Sequence, residues 1–105
     1  MSTDPQDWTE EELEAWREER RQKRIEHQAS LSPEVRTLAE TAIARVHIAL
    51  RDSSYGAGVG VTLAEFEAWE AWLLPAEHYT DSRLANAGVE NLMCKGVPIF
   101  VDVDL

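Results

Sequence analysis

The sequence predicts an α+β chain, mainly helical, with three to four helices followed by a C-terminal β-hairpin. Three observations carry this. Apolar residues recur at spacings of three and four through residues 33–51. Thr9-x-x-Glu12 and Thr62-x-x-Glu65 both have the form of capping boxes, where each side chain satisfies a free backbone N–H of the other residue. After Gly88 the period shortens: Ile99, Val101 and Val103 alternate with Phe100 and Asp102. The division that follows is a charged helical arm over residues 1–29 and a small helical domain with the hairpin over residues 30–105.

A short polar lead ends in Trp8, and the first helix is expected from Thr9 to about residue 28. Trp8 before the cap and Leu13 after it are placed as a hydrophobic staple. Glu10, Glu11, Glu12 and Glu14 lie at the positive end of the helix dipole, and Arg20, Arg21, Lys23 and Arg24 toward the negative end. Glu14–Arg17, Glu18–Arg21 and Glu19–Lys23 have the spacing of intrahelical ion pairs. The apolar face is thin: Leu13, Trp16 and Ile25 are its main anchors. A helix this polar either lies across another subunit or packs on its own domain through Trp8, Leu13 and Trp16.

Ser32-Pro33 is an N-cap followed by proline at the first helical position. Val35, Leu38, Ala39, Ala42, Ile43, Val46, Ala49 and Leu50 then form the broadest apolar stripe in the chain, with Leu38, Ile43 and Val46 expected in the core. Segment 52–60, rich in glycine, reads as a flexible loop. It lacks the Gly-Lys-Ser/Thr ending of a phosphate-binding loop. The third helix starts at Thr62, with Val61 and Phe66 as its staple, and stops before Pro75. Its Trp69 and Trp72 read as core residues. Thr80-Asp81 caps a short fourth helix ending at Gly88. Residues 91–94 and 97–103 flank Lys95-Gly96 as two strands and a tight turn. Pro98 cannot donate to a ladder, so the second strand is expected to begin at a sheet edge. An isolated hairpin is marginal in water, so a sheet or a neighbouring chain is expected to complete it.

With 105 residues and a 44% hydrophobic fraction, the chain fits one domain with a modest core. The formal charge is −10, from 20 acidic and 10 basic residues. That balance argues against nucleic acid and against anionic lipid as direct ligands. It reads first as a solubilising surface, with a basic protein partner or mimicry of nucleic acid as the functional alternatives. Cys94, the only cysteine, allows no internal disulfide and suits a reducing compartment. No apolar run is long enough for a transmembrane helix, and the polar N-terminus does not read as a signal peptide.

No constellation for catalysis emerges, and the chain is expected not to be an enzyme. His27, His47 and His78 have no second ligand at metal-binding spacing, so neither a metal nor another cofactor is expected. Cys94 has no local activating base and reads as a buried thiol. Glu65, Glu67 and Glu70 read as a solvated acidic face rather than an acid–base pair.

Residues 62–102 resemble part of the major capsid protein family of tailed bacteriophages. The likeness lies in a helix with aromatic anchors, a Tyr79-Thr80-Asp81 helix start with Leu84, the Ala87-Gly88 pair, and Leu92 leading to Lys95-Gly96-Val97-Pro98-Ile99 and Asp102. It covers about two fifths of the chain, and residues 1–55 lie outside it. Capsid subunits are usually several times longer. The resemblance therefore implies a phage or prophage setting, in the host cytoplasm or the virion, for a shortened capsid relative, an accessory head protein or a capsid mimic.

The leading expectation is a phage-derived structural or assembly protein that binds capsid-like subunits, or associates with itself, through the helical arm and the C-terminal strands. Trp8, Leu13, Trp16, Ile99, Val101 and Val103 are the candidate partner-binding residues, and a free edge of the C-terminal strands is the expected docking point. The alternative is an acidic cytoplasmic inhibitor of the anti-CRISPR type that occupies a basic groove. Residues 1–31 carry a net charge of −4 and residues 32–105 a net of −6. Neither half is a concentrated acidic block, which disfavours the mimic. A small helical regulator that only dimerises is the third reading.

Overall fold

Each long helix begins where a side chain takes up a free N–H of its first turn. The computed structural model describes residues 7–53, 56 and 58–105. The first six residues of the polar lead and three residues of the glycine-rich loop (54, 55 and 57) lie outside that set. Helix α1 (Glu10–Ala29) starts at Thr9, whose Oγ1 accepts the Glu12 N–H at 3.2 Å. Helix α2 (Pro33–Arg51) starts at Ser32, whose hydroxyl accepts the Val35 N–H at 3.3 Å. Helix α3 (Leu63–Trp72) has the full reciprocal box: Glu65 N–H donates to Thr62 Oγ1 at 3.1 Å, and Thr62 N–H to Glu65 Oε2 at 3.3 Å. A 3-10 turn at Pro75–Glu77 leads to helix α4 (Ser82–Asn86), capped by Asp81, which accepts the Arg83 N–H at 2.8 Å. The expected mainly helical α+β class is the class observed.

The predicted hairpin is present as β2 (Asn91–Cys94) and β3 (Val97–Val101), paired antiparallel with Cys94 opposite Val97 and Asn91 opposite Phe100. Lys95 and Gly96 both have positive φ, 51° and 82°, as a tight two-residue turn of this hand requires. A third strand, however, completes the sheet from within the chain. Val59–Val61 (β1), whose first two residues are expected as loop and whose Val61 is expected as the staple of the third helix, pairs parallel with β3, giving the order β1-β3-β2. Three residues are too few to show a strand period beside Gly58 and Gly60. Those glycines also serve the approach: a Cβ on Gly58 would lie 2.9 Å from the Pro98 carbonyl oxygen, and one on Gly60 2.8 Å from Asp102 Cβ.

Pro98 consequently stands in the central strand, not at an edge. Its cross-strand partner is Met93, whose N–H turns away from β3 to the Tyr79 carbonyl at 2.8 Å. The Met93/Pro98 pair is thus a non-hydrogen-bonded pair of the antiparallel ladder, where no Pro98 N–H is needed by β2. Its other side precedes the β1 ladder, which begins at Val59 opposite Ile99.

One face of this sheet carries the core. Val59, Val61, Leu92, Cys94, Val97 and Ile99 pack under Ala42, Val46 and Ala49 of α2 and Phe66 and Trp69 of α3. Of the residues expected in the α2 core, Val46 is fully buried, Ile43 is partly buried against the cluster, and Leu38 is half-buried. Alanines take the closest positions instead: Ala39 and Ala42 on α2 and Ala68 on α3 are all buried, and small side chains let helix axes approach. Trp69 turns its Nε1–H to the Met93 carbonyl at 3.1 Å, satisfying its one polar atom while its ring fills the core.

Candidate partner interface

Helix α1 contributes no buried residue among its 20, although it spans about 30 Å at 1.5 Å per residue. Its attachment to the body lies in its second half. Arg24 grips Glu77 through Nη2–Oε2 at 2.5 Å and Nε–Oε1 at 3.4 Å. Glu77 is held ready for this by the Leu74 N–H, 3.1 Å from Oε1. Burial works to raise the Glu77 carboxyl, but the bonds from Arg24 and Leu74 outweigh it and hold the group below the usual carboxylate range. Three residues further on, His27 Nε2 donates to the Ala71 carbonyl at 2.6 Å. The arm is thereby pinned at one end and free of core packing along its length.

The N-terminal half of the arm carries its tryptophans. Trp8 and Trp16 meet edge-to-face with ring centroids 5.8 Å apart at 67°. Arg20, one turn on, lies over the Trp16 ring at 5.0 Å. Trp16 remains 41% exposed. A cleft of about 260 Å³ opens between Trp8, Glu12, Ala15, Trp16 and Glu19. A second groove of about 350 Å³ continues it past Arg20 and Lys23 along the Leu74 and Ala76 turn, sharing Trp16 and Glu19. Charge is divided along the same helix. Residues 7–19 carry seven acids and one base, a net of −6, whereas residues 20–31 carry four bases and one acid, a net of +3. Within the helix, Glu18 pairs with Arg21, and Glu19 with Lys23 at 3.2 Å, as their spacing predicts.

The structure therefore places the six candidate partner-binding residues apart. Trp8 and Trp16 share a surface, and Leu13 lies between them in sequence, half-buried on the same arm. Ile99 is fully buried beneath α2 and α3, so its side chain belongs to the chain's own core and not to the exposed surface. Val101 is partly buried against the core at the end of β3. Val103 is 89% exposed beyond the end of the strand and so does not continue the buried row. Since β3 is flanked by β1 and β2, the expected free edge does not belong to it.

Two buried polar groups were not visible in sequence as such. Glu65 belongs to no solvated face: it is buried, and Arg45 clamps it through Nε–Oε2 at 2.7 Å and Nη2–Oε1 at 3.0 Å. Burial pushes its carboxyl up, yet the hydrogen bonds from Arg45 and Thr62 dominate and hold it low. Asn91 is buried too; its Oδ1 accepts the Asp81 N–H at 2.7 Å and its Nδ2 donates to Val89 O at 3.1 Å, tying the α4 loop to β2. Arg45 follows Glu65's side by tertiary contact only, so sequence spacing gave no signal; Arg20 over Trp16 is an i,i+4 pair that spacing does reveal. The Cys94 thiol is fully buried, and burial pushes its pKa up to about 11, far from a reactive thiolate. Glu67 and Glu70 are exposed, as read. Among the described residues no group of three or more His, Cys, Asp or Glu side chains is arranged to hold a metal ion, and no helix is long and apolar enough to cross a membrane. Comparison of the chain with protein-family models, curated proteins and solved structures yields no match.

Proposed function

We propose that this chain is a non-enzymatic protein-binding factor that engages its partner through the N-terminal half of the arm, with Trp8 and Trp16 as anchors. One observation carries this: a 20-residue helix with no buried residue holds a paired tryptophan surface at one end and is tied to the body by Arg24 and His27 toward the other. Aromatic residues with low ordering cost are the usual anchors of protein interfaces. The capsid-like stretch at residues 62–102 supports a phage or prophage setting, in which the partner is a capsid-like subunit and the chain acts in assembly. The test is capture of partners from lysogenic or infected cells with the intact chain and with Trp16→Ala, read by mass spectrometry. Capsid subunits recovered with the first and lost with the second are expected. Identical recoveries with both would remove the arm from the function.

The inhibitor reading draws on a specific observation as well. Residues 7–19 concentrate a net charge of −6 into one exposed stretch, denser than either half of the chain taken whole. Such a stretch suits a basic groove. Recovery of a nucleic-acid-processing complex in the same capture would favour it over assembly.

A further inference from the structure

The exposed strip of α1 is complementary to itself when reversed. Its two contiguous clefts run from Glu12 at the acidic end, past Trp16, to Lys23 at the basic end. We infer that this strip pairs antiparallel with the same strip of a second copy, giving a two-fold dimer centred near residues 17 and 18. This deepens the partner-binding reading above, since the occupant becomes a second copy of the chain.

The register follows from the charges. Setting Glu12 of one copy opposite Lys23 of the other fixes the antiparallel pairing, because the two-fold axis then repeats that contact at the other end. In this register Ala15 faces Arg20, and Trp16 faces Glu19 of the second copy. The two Trp16 rings fall on either side of the axis, offset along the helix by about 4.5 Å at 1.5 Å per residue. The centre is then aromatic and the ends are charge-paired, which is the arrangement expected of a small specific interface. A parallel pairing would instead set the −6 halves against each other and is excluded by repulsion.

The chemistry at the centre already occurs within one chain. Arg20 stacks over the Trp16 ring of its own chain at 5.0 Å, so the Glu19 carboxylate that faces Trp16 across the axis meets a guanidinium there as well as the ring. Lys23 has 64% of its side-chain surface exposed and pairs with Glu19 at 3.2 Å, a surface pair that exchanges readily. On the body side the turn lining the groove contributes Leu74 and Ala76, and its Glu77 carboxylate binds Arg24 and feels Arg20, so the register is built on Lys23 and not on those two arginines.

The test uses two single charge reversals of the full chain, Glu12→Lys and Lys23→Glu. Light scattering on a sizing column gives the mass, and circular dichroism confirms that each variant keeps its helix. The wild type is expected to reach dimer mass at high-micromolar concentration, and to lose it as salt is raised. Each variant alone sets like charges opposite each other at both ends and is expected to remain monomeric. An equal mixture of the two restores both pairs, so dimer mass should return in the mixture alone. A wild type that stays monomeric, single variants that dimerise normally, or a mixture of folded variants that fails to pair would each overturn the proposal. Trp16-dependent capture of another protein in any of those cases would leave the broader binding role standing and end the self-pairing alone.

Discussion

Arg45 and Glu65 form a two-bond clamp between α2 and α3, 2.7 Å and 3.0 Å long, on a carboxylate that also caps its own helix. The one side chain closes the N-terminus of α3 and fastens that helix to α2. Its Oε2 receives both Arg45 Nε–H and the Thr62 N–H, so removing either donor leaves a buried acceptor under-satisfied. Replacing Arg45 by Met keeps the aliphatic packing of the stem and removes the charge. The expected loss is about 1–3 kcal/mol, the usual cost of stranding a buried partner, moderated because Arg45 is 36% exposed and water can reach the site. Urea denaturation measures it. A change within about 0.5 kcal/mol, the range of ordinary surface substitutions, would show that the clamp contributes little.

Acid should unfold the protein through the same clamp and through Glu77. Both carboxyls are held below their ordinary value in the folded chain, Glu65 by Arg45 and Thr62, Glu77 by Arg24 and Leu74. The unfolded chain then takes up protons first as pH falls. The stability each contributes is complete above the unfolded value of about 4.3 and is lost as pH drops through the lower folded value. Thermal midpoints should be flat with respect to these two groups near neutrality and fall below about pH 4. Glu65→Gln should flatten that acid slope, at a cost in stability at neutral pH. An unchanged slope in this variant would assign the acid sensitivity to other groups.

The helices were legible because their signals are local. Thr9, Ser32, Thr62 and Asp81 each announce a cap within three residues, and the α2 stripe repeats over five turns. The Lys95-Gly96 turn was legible for the same reason. What escaped depends on contacts distant in sequence. Val59–Val61 becomes a strand only because β3 lies beside it, and that pairing spans 40 residues. The placement of Pro98 in the centre follows from that third strand, and with it the burial of Ile99. Glu65 looked like one member of an acidic face because nothing near it in sequence is basic; Arg45 lies 20 residues earlier on another helix. The site divides in the same way. The closeness of the two tryptophans on the arm was readable from one helix and its cap, whereas the exposure of the strand residues depended on neighbours distant in sequence.

The corrected core orders two substitutions. Ile99 is fully buried at the middle of the central strand, while Leu38 is half-buried at the start of α2. Ile99→Ala removes packing on all sides and should cost about 2–5 kcal/mol. Leu38→Ala should cost less, since part of its surface already meets water and the lost burial scales with area. Paired denaturation curves decide the order. Equal losses, or a larger one at Leu38, would mean that the arm-proximal end of α2 is covered by something other than this chain's own body.

Trp16 separates binding from stability. The residue is 41% exposed, its ring meets Trp8 and Arg20 on the same arm, and it stands outside the buried cluster, so truncation opens no cavity in the sheet-and-helix core. Trp16→Ala should therefore shift the thermal midpoint by little while removing partner capture or self-pairing, because aromatic anchors near the centre of an interface carry most of its energy. Ile99→Val provides the opposite control. It should lower stability by about 0.5–1.5 kcal/mol and leave association intact below the transition. The pair of variants isolates the interface from the core: association lost with Trp16→Ala and kept with Ile99→Val locates the contact on the arm. The reverse pattern would return the contact to the C-terminal strands, and binding would then require those strands to open.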